Sequence, residues 1–167
     1  MNKILLIITG SIAASRCREI ITLLNVKQVK ISCILTKEAK KYVKISDIKK
    51  LLKNRIFTDE DEKKNKMLHI NLSRDNDIIV MCPATANSIA KFANGYGDNL
   101  ASNTLLASNK KILFVPAMNS FMWHNKINQK NVRLLKDSGH EFIGPSVGNL
   151  KCGEFGFCLL YTSPSPR

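Results

Sequence analysis

The chain has 167 residues, 44% apolar and 23% charged, with a formal net charge of +13. That is room for one domain with a substantial core, in an ordinary globular composition with no apolar run of membrane-spanning length. The positive balance raises nucleic acid as a partner, but the lysines are scattered or fall in polar loops such as Lys63, Lys64 and Lys66. With no basic ladder interleaved with aromatics, a solvated basic surface is the better reading, and neither nucleic acid nor membrane is expected as a partner.

Lys3–Thr9 is a β-branched apolar run, the signature of a fully buried strand. Together with Ser11–Cys17 it imitates an export signal, but Arg16 beside Cys17 fits badly with a small-residue cleavage site. A first strand and a glycine turn explain the segment better. Gly10-Ser11 forms that turn, and Ile12–Asn25 then reads as a helix with Ile12, Ile20, Leu23 and Leu24 available for its buried face. A strand, a tight turn and a helix start point backbone N–H groups at an anion. The second and third glycines of a dinucleotide fingerprint are missing, as is the Gly-Lys-Ser/Thr of a P-loop.

Val29–Leu35 is a second buried strand ending at Thr36, which either caps a helix over Lys37–Val43 or meets a ligand. Ser46–Leu52 reads as a short helix, and the highly charged Thr58–Lys66 as a surface loop. His69 alternates with apolar Leu68 and Ile70, a setting that suits a structural histidine or a base. Ile78–Cys82 is a third strand, which Pro83 is expected to end. Pro83-Ala84-Thr85-Ala86-Asn87 then places small and amide residues at the next helix start, where a flat ligand can approach closely or a cap can form.

Asn94–Asn99 is a turn cluster, Leu100–Ser108 is helical, and Lys111–Val115 is a fourth strand closed by Pro116. Asn119 follows at the strand's carboxyl end, where open α/β sheets bind ligands. Its amide can orient a carboxylate; it can equally cap a helix, with Met118, Met122 and Trp123 as core. Lys126–Ser138 is an amphipathic helix stopped by Gly139, and Glu141–Ile143 a last short strand. Gly144–Phe157 carries four glycines around Cys152 and reads as a mobile flap. Alternating strands and helices predict an α/β fold, a doubly wound parallel sheet with helices on both faces.

Five cysteines, at positions 17, 33, 82, 152 and 158, include no Cys-x-x-Cys pair. That argues against zinc, and the odd count suits a reducing cytoplasm. Residues 158–167 break the preceding pattern and resemble the translation of a sequencing adapter. The domain is therefore expected to occupy residues 1–157, incomplete at its carboxyl end, with 158–167 as a non-native tail.

Five blocks carry a resemblance: Gly10–Ala14, Leu68-His69-Ile70 with Leu72, Pro83–Asn87, Pro116–Trp123 and Leu150–Gly156. Across nearly all of Met1–Phe157 the chain resembles the homo-oligomeric flavin-containing cysteine decarboxylases. The Pro-Ala-Met-Asn-x-x-Met-Trp block is the most specific of the five, and the glycine turn the least. The resemblance implies a flavodoxin-like, three-layer α/β/α domain binding FMN, with 4'-phosphopantothenoylcysteine as the substrate in coenzyme A biosynthesis. Gly10, Ser11 and Ile12 would hold the phosphate side. Thr36, Pro83, Ala84, Thr85, Asn87 and Ala101 would line the ribityl chain and ring.

The same resemblance makes His69 the base, supplied by a neighbouring subunit of a trimer or dodecamer. Asn119 would bind the substrate carboxylate beside Ala117 and Met118, and Cys152 would be the flap acid. The family writes Ser-Ala-Asn-Thr where this chain has Thr85-Ala86-Asn87-Ser88, and it continues the flap with Gly-Arg where this chain has Cys158. A fused cysteine ligase half, present in bifunctional members, is absent from this sequence. Two alternatives compete: a peptidyl-cysteine oxidative decarboxylase, and a non-catalytic flavoprotein or regulatory subunit. Cys152 speaks against the first, and His69, Asn119 and Cys152 together against the second.

Overall fold

A computed structural model of the chain describes residues 3–53, 55–149 and 155–159. Strands β1 (Lys3–Ile8), β2 (Lys30–Leu35), β3 (Ile56–Phe57), β4 (Ile78–Ala84), β5 (Ile112–Pro116) and β6 (Glu141–Phe142) form one sheet in the order β3-β2-β1-β4-β5-β6. Every pairing in it is parallel. Setting aside the two-residue edge strand β3, the remaining five run in the order 2-1-3-4-5, which is the flavodoxin-like winding. The order reverses between β1 and β4, so a crevice opens there at the strands' carboxyl ends.

Side chains along each strand alternate between two cores, as a period of two requires. Leu5, Ile7, Ile79, Met81 and Phe114 face one side. There they meet α4 (Leu68–Asp75), α5 (Ala86–Ala93), α6 (Leu100–Leu106) and α8 (Lys126–Asp137) through Leu72, Ile89, Leu105 and Val132. Leu6, Ile8, Ile31, Cys33 and Leu35 face the other side, against α1 (Cys17–Val26) and α2 (Ile45–Leu51) through Ile21 and Ile48. The expected α/β/α layering holds.

Several local expectations are corrected. Ile20 and Leu24 pack against the core as expected, but Ile12 and Leu23 are 51% and 68% exposed, and the fully buried side chains are Ala14, Cys17 and Ile21. The segment begins as a 3-10 helix over Ile12–Arg16 before α1, and its tighter winding shifts the phase of every later side chain. The predicted helix at Lys37–Val43 is only a 3-10 turn, Ala39–Lys41. Pro83 does not end its strand, since β4 runs on to Ala84, whereas β5 does close at Pro116, which pairs with Ala84 after a register shift past Met81.

Thr58–Lys66 is not a loop but contains α3 (Asp59–Lys64). The Asp61 carboxylate reaches back to the Thr58 N–H at 2.8 Å and its hydroxyl at 3.1 Å, as a capping box does. Acids fill the first turn and lysines the last, matching the helix dipole. The predicted flap carries two antiparallel strands, β7 (Ser146–Asn149) and β8 (Phe155–Leu159), with β8 running beside α7 (Ser120–His124). Cys152 lies outside the described residues.

Candidate active site

The strand ends enclose a cleft of about 650 Å³, within the range of small-ligand sites. Thr9, Gly10 and Ser11 line it beyond β1, Thr36 beyond β2, Thr85–Ser88 beyond β4, and Ala117 and Met118 beyond β5. Helix-side walls come from Lys37, Glu38, Tyr42, Asp59, Lys91, Asp98, Asn99 and Met122.

Gly10 sits where the chain passes hard against Glu38. A Cβ there would lie 2.4 Å from the Glu38 Cβ and 3.1 Å from its carbonyl carbon, so only glycine fits. Thr9 is buried and donates its hydroxyl to the Pro83 carbonyl at 2.5 Å, tying the ends of β1 and β4. Thr36 donates to the Ile8 carbonyl at 3.2 Å and accepts from the Ala39 N–H at 3.4 Å. Ser11 accepts from the Ala13 N–H at 3.3 Å. Thr85 caps α5 through the Ser88 N–H at 3.2 Å, and Asn99 caps α6 through the Ser102 N–H at 2.9 Å. Asn87, one residue into α5, is exposed on the cleft wall.

Asn119 lies next to Met118 and caps α7, its Oδ1 accepting from the Phe121 and Met122 N–H groups at 2.8 and 3.4 Å. The cap commits the oxygen to the helix, and Asn119 itself is not among the residues that line the cleft, although its neighbour Met118 is. On the far wall Lys91 pairs with Asp98, and that hydrogen bond holds the Asp98 carboxyl below the usual range.

The cleft thus brings together Gly10, Ser11, Thr36, Thr85, Asn87, Ala117 and Met118 from the sequence-predicted set. Pro83 and Ala84 are buried beneath it. Ala101 is only 4% exposed and packs in the core under α6, off the cleft wall. Ile12 is exposed and also off the wall. His69, on α4, does not line the cleft; its side chain is 25% exposed, and Nδ1 lies 2.9 Å from the Glu62 Oε1.

Lys37, Asp98, Asn99 and Met122 are wall residues that sequence reasoning missed, as is the pairing of Glu62 with His69. Asn99 carried a legible signal, an amide before an apolar helix. The others carried none, because their positions depend on which helices pack together. Among the described residues no group of three or more His, Cys, Asp or Glu side chains could hold a metal. No helix among them is long and apolar enough to cross a membrane.

A doubly wound α/β chain with a polar cleft at its switch point is a nucleotide-cofactor architecture. This chain belongs to the Flavoprotein family, whose profile matches residues 1–161. It is 32% identical over 159 residues to the probable phosphopantothenoylcysteine decarboxylase of Streptococcus mutans, covering 93% of this chain and 89% of that protein. It is 33% identical over 158 residues to the coenzyme A biosynthesis bifunctional protein CoaBC of Vibrio vulnificus, again covering 93% of this chain but only 39% of the relative. A solved PPC decarboxylase mutant complexed with pantothenoylaminoethenethiol superposes with a TM-score of 0.88 at 28% identity, covering 96% of this chain and 91% of that one.

Proposed function

We infer that this chain is an FMN-dependent decarboxylase that converts 4'-phosphopantothenoylcysteine to 4'-phosphopantetheine and CO2 in coenzyme A biosynthesis. The observation that carries this reading is the likeness to the Streptococcus mutans protein over nearly the whole of both chains, with the motif blocks Gly10-Ser11, Thr85–Asn87 and Ala117-Met118 meeting at one cleft.

The cleft fits a mononucleotide. Hydroxyls from Thr9, Ser11, Thr36 and Thr85 and an amide from Asn87 line it, and small residues Gly10, Ala86 and Ala117 leave room for a flat ring. Gly10 and Ser11 would take the phosphate end, with Ile12 at the same turn. Thr36, Thr85 and Asn87 would line the ribityl chain and ring, with Pro83, Ala84 and Ala101 supporting that wall from beneath. One turn without a dinucleotide fingerprint favours FMN over FAD.

Held there, FMN would supply reversible hydride chemistry at the cysteine CH2–SH carbon of the substrate. The protein must remove the thiol proton, hold the carboxylate and resupply a proton. His69 can take the thiol proton as a general base. Asn119, donating through Nδ2–H, suits a carboxylate, which only accepts. Cys152 would return a proton to the ene-thiol left by decarboxylation.

His69 lies off the cleft of its own chain, which supports a homo-oligomer, trimer or dodecamer, in which it serves a neighbour's cleft. Phe121 and Ile127, 78% and 73% exposed on α7 and α8 next to the cleft, are apolar surface suited to such a contact. The bifunctional relative, of which this chain covers 39%, makes a fused ligase domain a partner to test for, while the Streptococcus mutans relative, covered to 89%, matches nearly end to end. Free, buried Cys17, Cys33 and Cys82 suit the cytoplasm.

The test is anaerobic mixing of the FMN-loaded protein with synthetic substrate. Flavin bleaching followed by release of CO2 and saturated phosphopantetheine is the expected outcome. Failure to take up FMN, or turnover of a cysteine-ended peptide in preference, would reject the assignment. Light scattering on the same sample reads the oligomer.

A further inference from the structure

The helix that sequence reading treats as a loop has one organised face. Asp59 and Glu62, three apart on α3, meet Leu100 and Asn103, three apart on α6. The Asp59 carboxylate accepts from the Leu100 N–H at 3.0 Å. The Glu62 carboxylate accepts from Asn103 Nδ2 at 3.3 and 3.4 Å. Asn103 itself is seated against Gly97, where a Cβ would come within 2.6 Å of its Oδ1. Carboxylate and amide are thus clamped between two helices, and Glu62 Oε1, one of the two oxygens Asn103 reaches, also faces α4.

His69 stands there, its Nδ1 2.9 Å from Glu62 Oε1. That nitrogen is buried and makes no aligned hydrogen bond in the structure, so a small rotation of the ring or the carboxylate is what turns the 2.9 Å contact with Glu62 into one. The Glu62 side chain is 18% exposed, whereas Glu19, Glu38 and Glu141, in surface ion pairs, are 59–62% exposed. A carboxylate this enclosed must be partnered, and ionised it can only accept.

We propose that Glu62 is a positioning residue for His69. It holds the neutral imidazole in the Nδ1–H tautomer and so leaves the Nε2 lone pair as the base. Asn103 fixes Glu62 in turn. In the step concerned the substrate S–H bond breaks, the proton forms Nε2–H, and the electron pair stays on sulfur. The proposal rests on the reading that His69 takes this proton, and it follows the general rule that the group behind an imidazole selects its tautomer.

The experiment is nitrogen-15 NMR of the histidine-labelled, FMN-loaded protein, with the His69 signals assigned by their loss in His69→Asn. Wild-type neutral His69 should be protonated at Nδ1; protonation at Nε2 overturns the proposal with no variant needed. In Glu62→Leu the tautomer should shift toward Nε2–H and the bleaching rate should fall about 10- to 100-fold, while Glu62→Asp keeps the tautomer and most of the rate. Wild-type tautomer and rate in Glu62→Leu would also overturn it. The two claims fail separately: normal bleaching in His69→Asn removes the base reading, whereas a dead His69→Asn beside an unaffected Glu62→Leu removes only the positioning role.

Discussion

Ser11, Thr36, Thr85 and Asn119 beyond the strand ends, and Asn99 ahead of α6, each accept from a backbone N–H two or three residues ahead. Around His69 the contacts join three helices: Glu62 from α3, His69 from α4 and Asn103 from α6. The cleft is therefore a set of independent local caps that share an opening. The His69 cluster is a network in which each member depends on the packing of the others. Removing a cap should loosen one turn, whereas removing a network member should unsettle its partners.

The largest expected effect comes from His69 itself. His69→Asn should leave FMN binding intact, because the proposed role of His69 is against the substrate thiol and not among the residues that would hold the cofactor. It should slow substrate-driven bleaching by at least about a hundredfold, the usual worth of a general base. Stopped-flow absorbance beside a flavin titration reads both quantities.

Asn119 tests whether a cap can also do chemistry. Asp caps a helix as well as Asn, so Asn119→Asp should change stability by less than about 0.5 kcal/mol. It should nevertheless lower kcat/KM by an order of magnitude or more, about 1.4 kcal/mol per tenfold, since a carboxylate replaces a donor to the substrate carboxylate. Unchanged turnover would leave Asn119 as a cap alone.

A pair of double-mutant cycles then addresses the contrast directly. Thr85→Ala and Asn99→Ala should each cost about 1 kcal/mol and add within about 0.5 kcal/mol. Glu62→Ala and Asn103→Ala should show a coupling of about 0.5–3 kcal/mol, because each leaves the other's polar group behind. Urea unfolding supplies the four stabilities in each cycle. Additivity at Glu62 and Asn103 would dissolve the distinction.

The same contrast explains what the sequence discloses. Buried strands show as unbroken apolar runs, and caps show as Ser, Thr or Asn ahead of an apolar helix, so Gly10-Ser11, Thr85 and Asn119 could be placed before any coordinates. The helical phase after Gly10 could not, because a 3-10 start moves Ile12 and Leu23 out and Ala14 and Ile21 in. α3 was hidden for another reason. With no buried apolar residue it lacks periodicity, and its evidence was a capping box and a charge gradient. Ala101 looked like a cleft residue by resemblance, yet packing places its side chain in the core. Contacts such as Glu62 with Asn103 span 41 positions and leave no local mark.

The smallest effect belongs to a third polar centre, which also depends on packing. His140 accepts from the Ile112 N–H through Nδ1 at 3.2 Å, linking the loop before β6 to the start of β5. Its ring lies 5.2 Å from Phe92 and 6.2 Å from Phe114, centroid to centroid. Burial among these groups lowers its pKa below the ordinary histidine value, and an Nδ1 that accepts must be unprotonated. Between the folded value and about 6.5 the unfolded chain binds the extra proton, so stability rises with pH across that window. Above about 6.5 this contribution is fully present; as pH falls below it, the contribution is lost until the folded chain protonates as well. The urea midpoint should therefore be insensitive to His140 above neutrality and decline on mild acidification. His140→Gln keeps an acceptor but cannot titrate, and should remove that part of the decline. A decline of equal size in the variant would mean that protonation of His140 is not opposed by its surroundings.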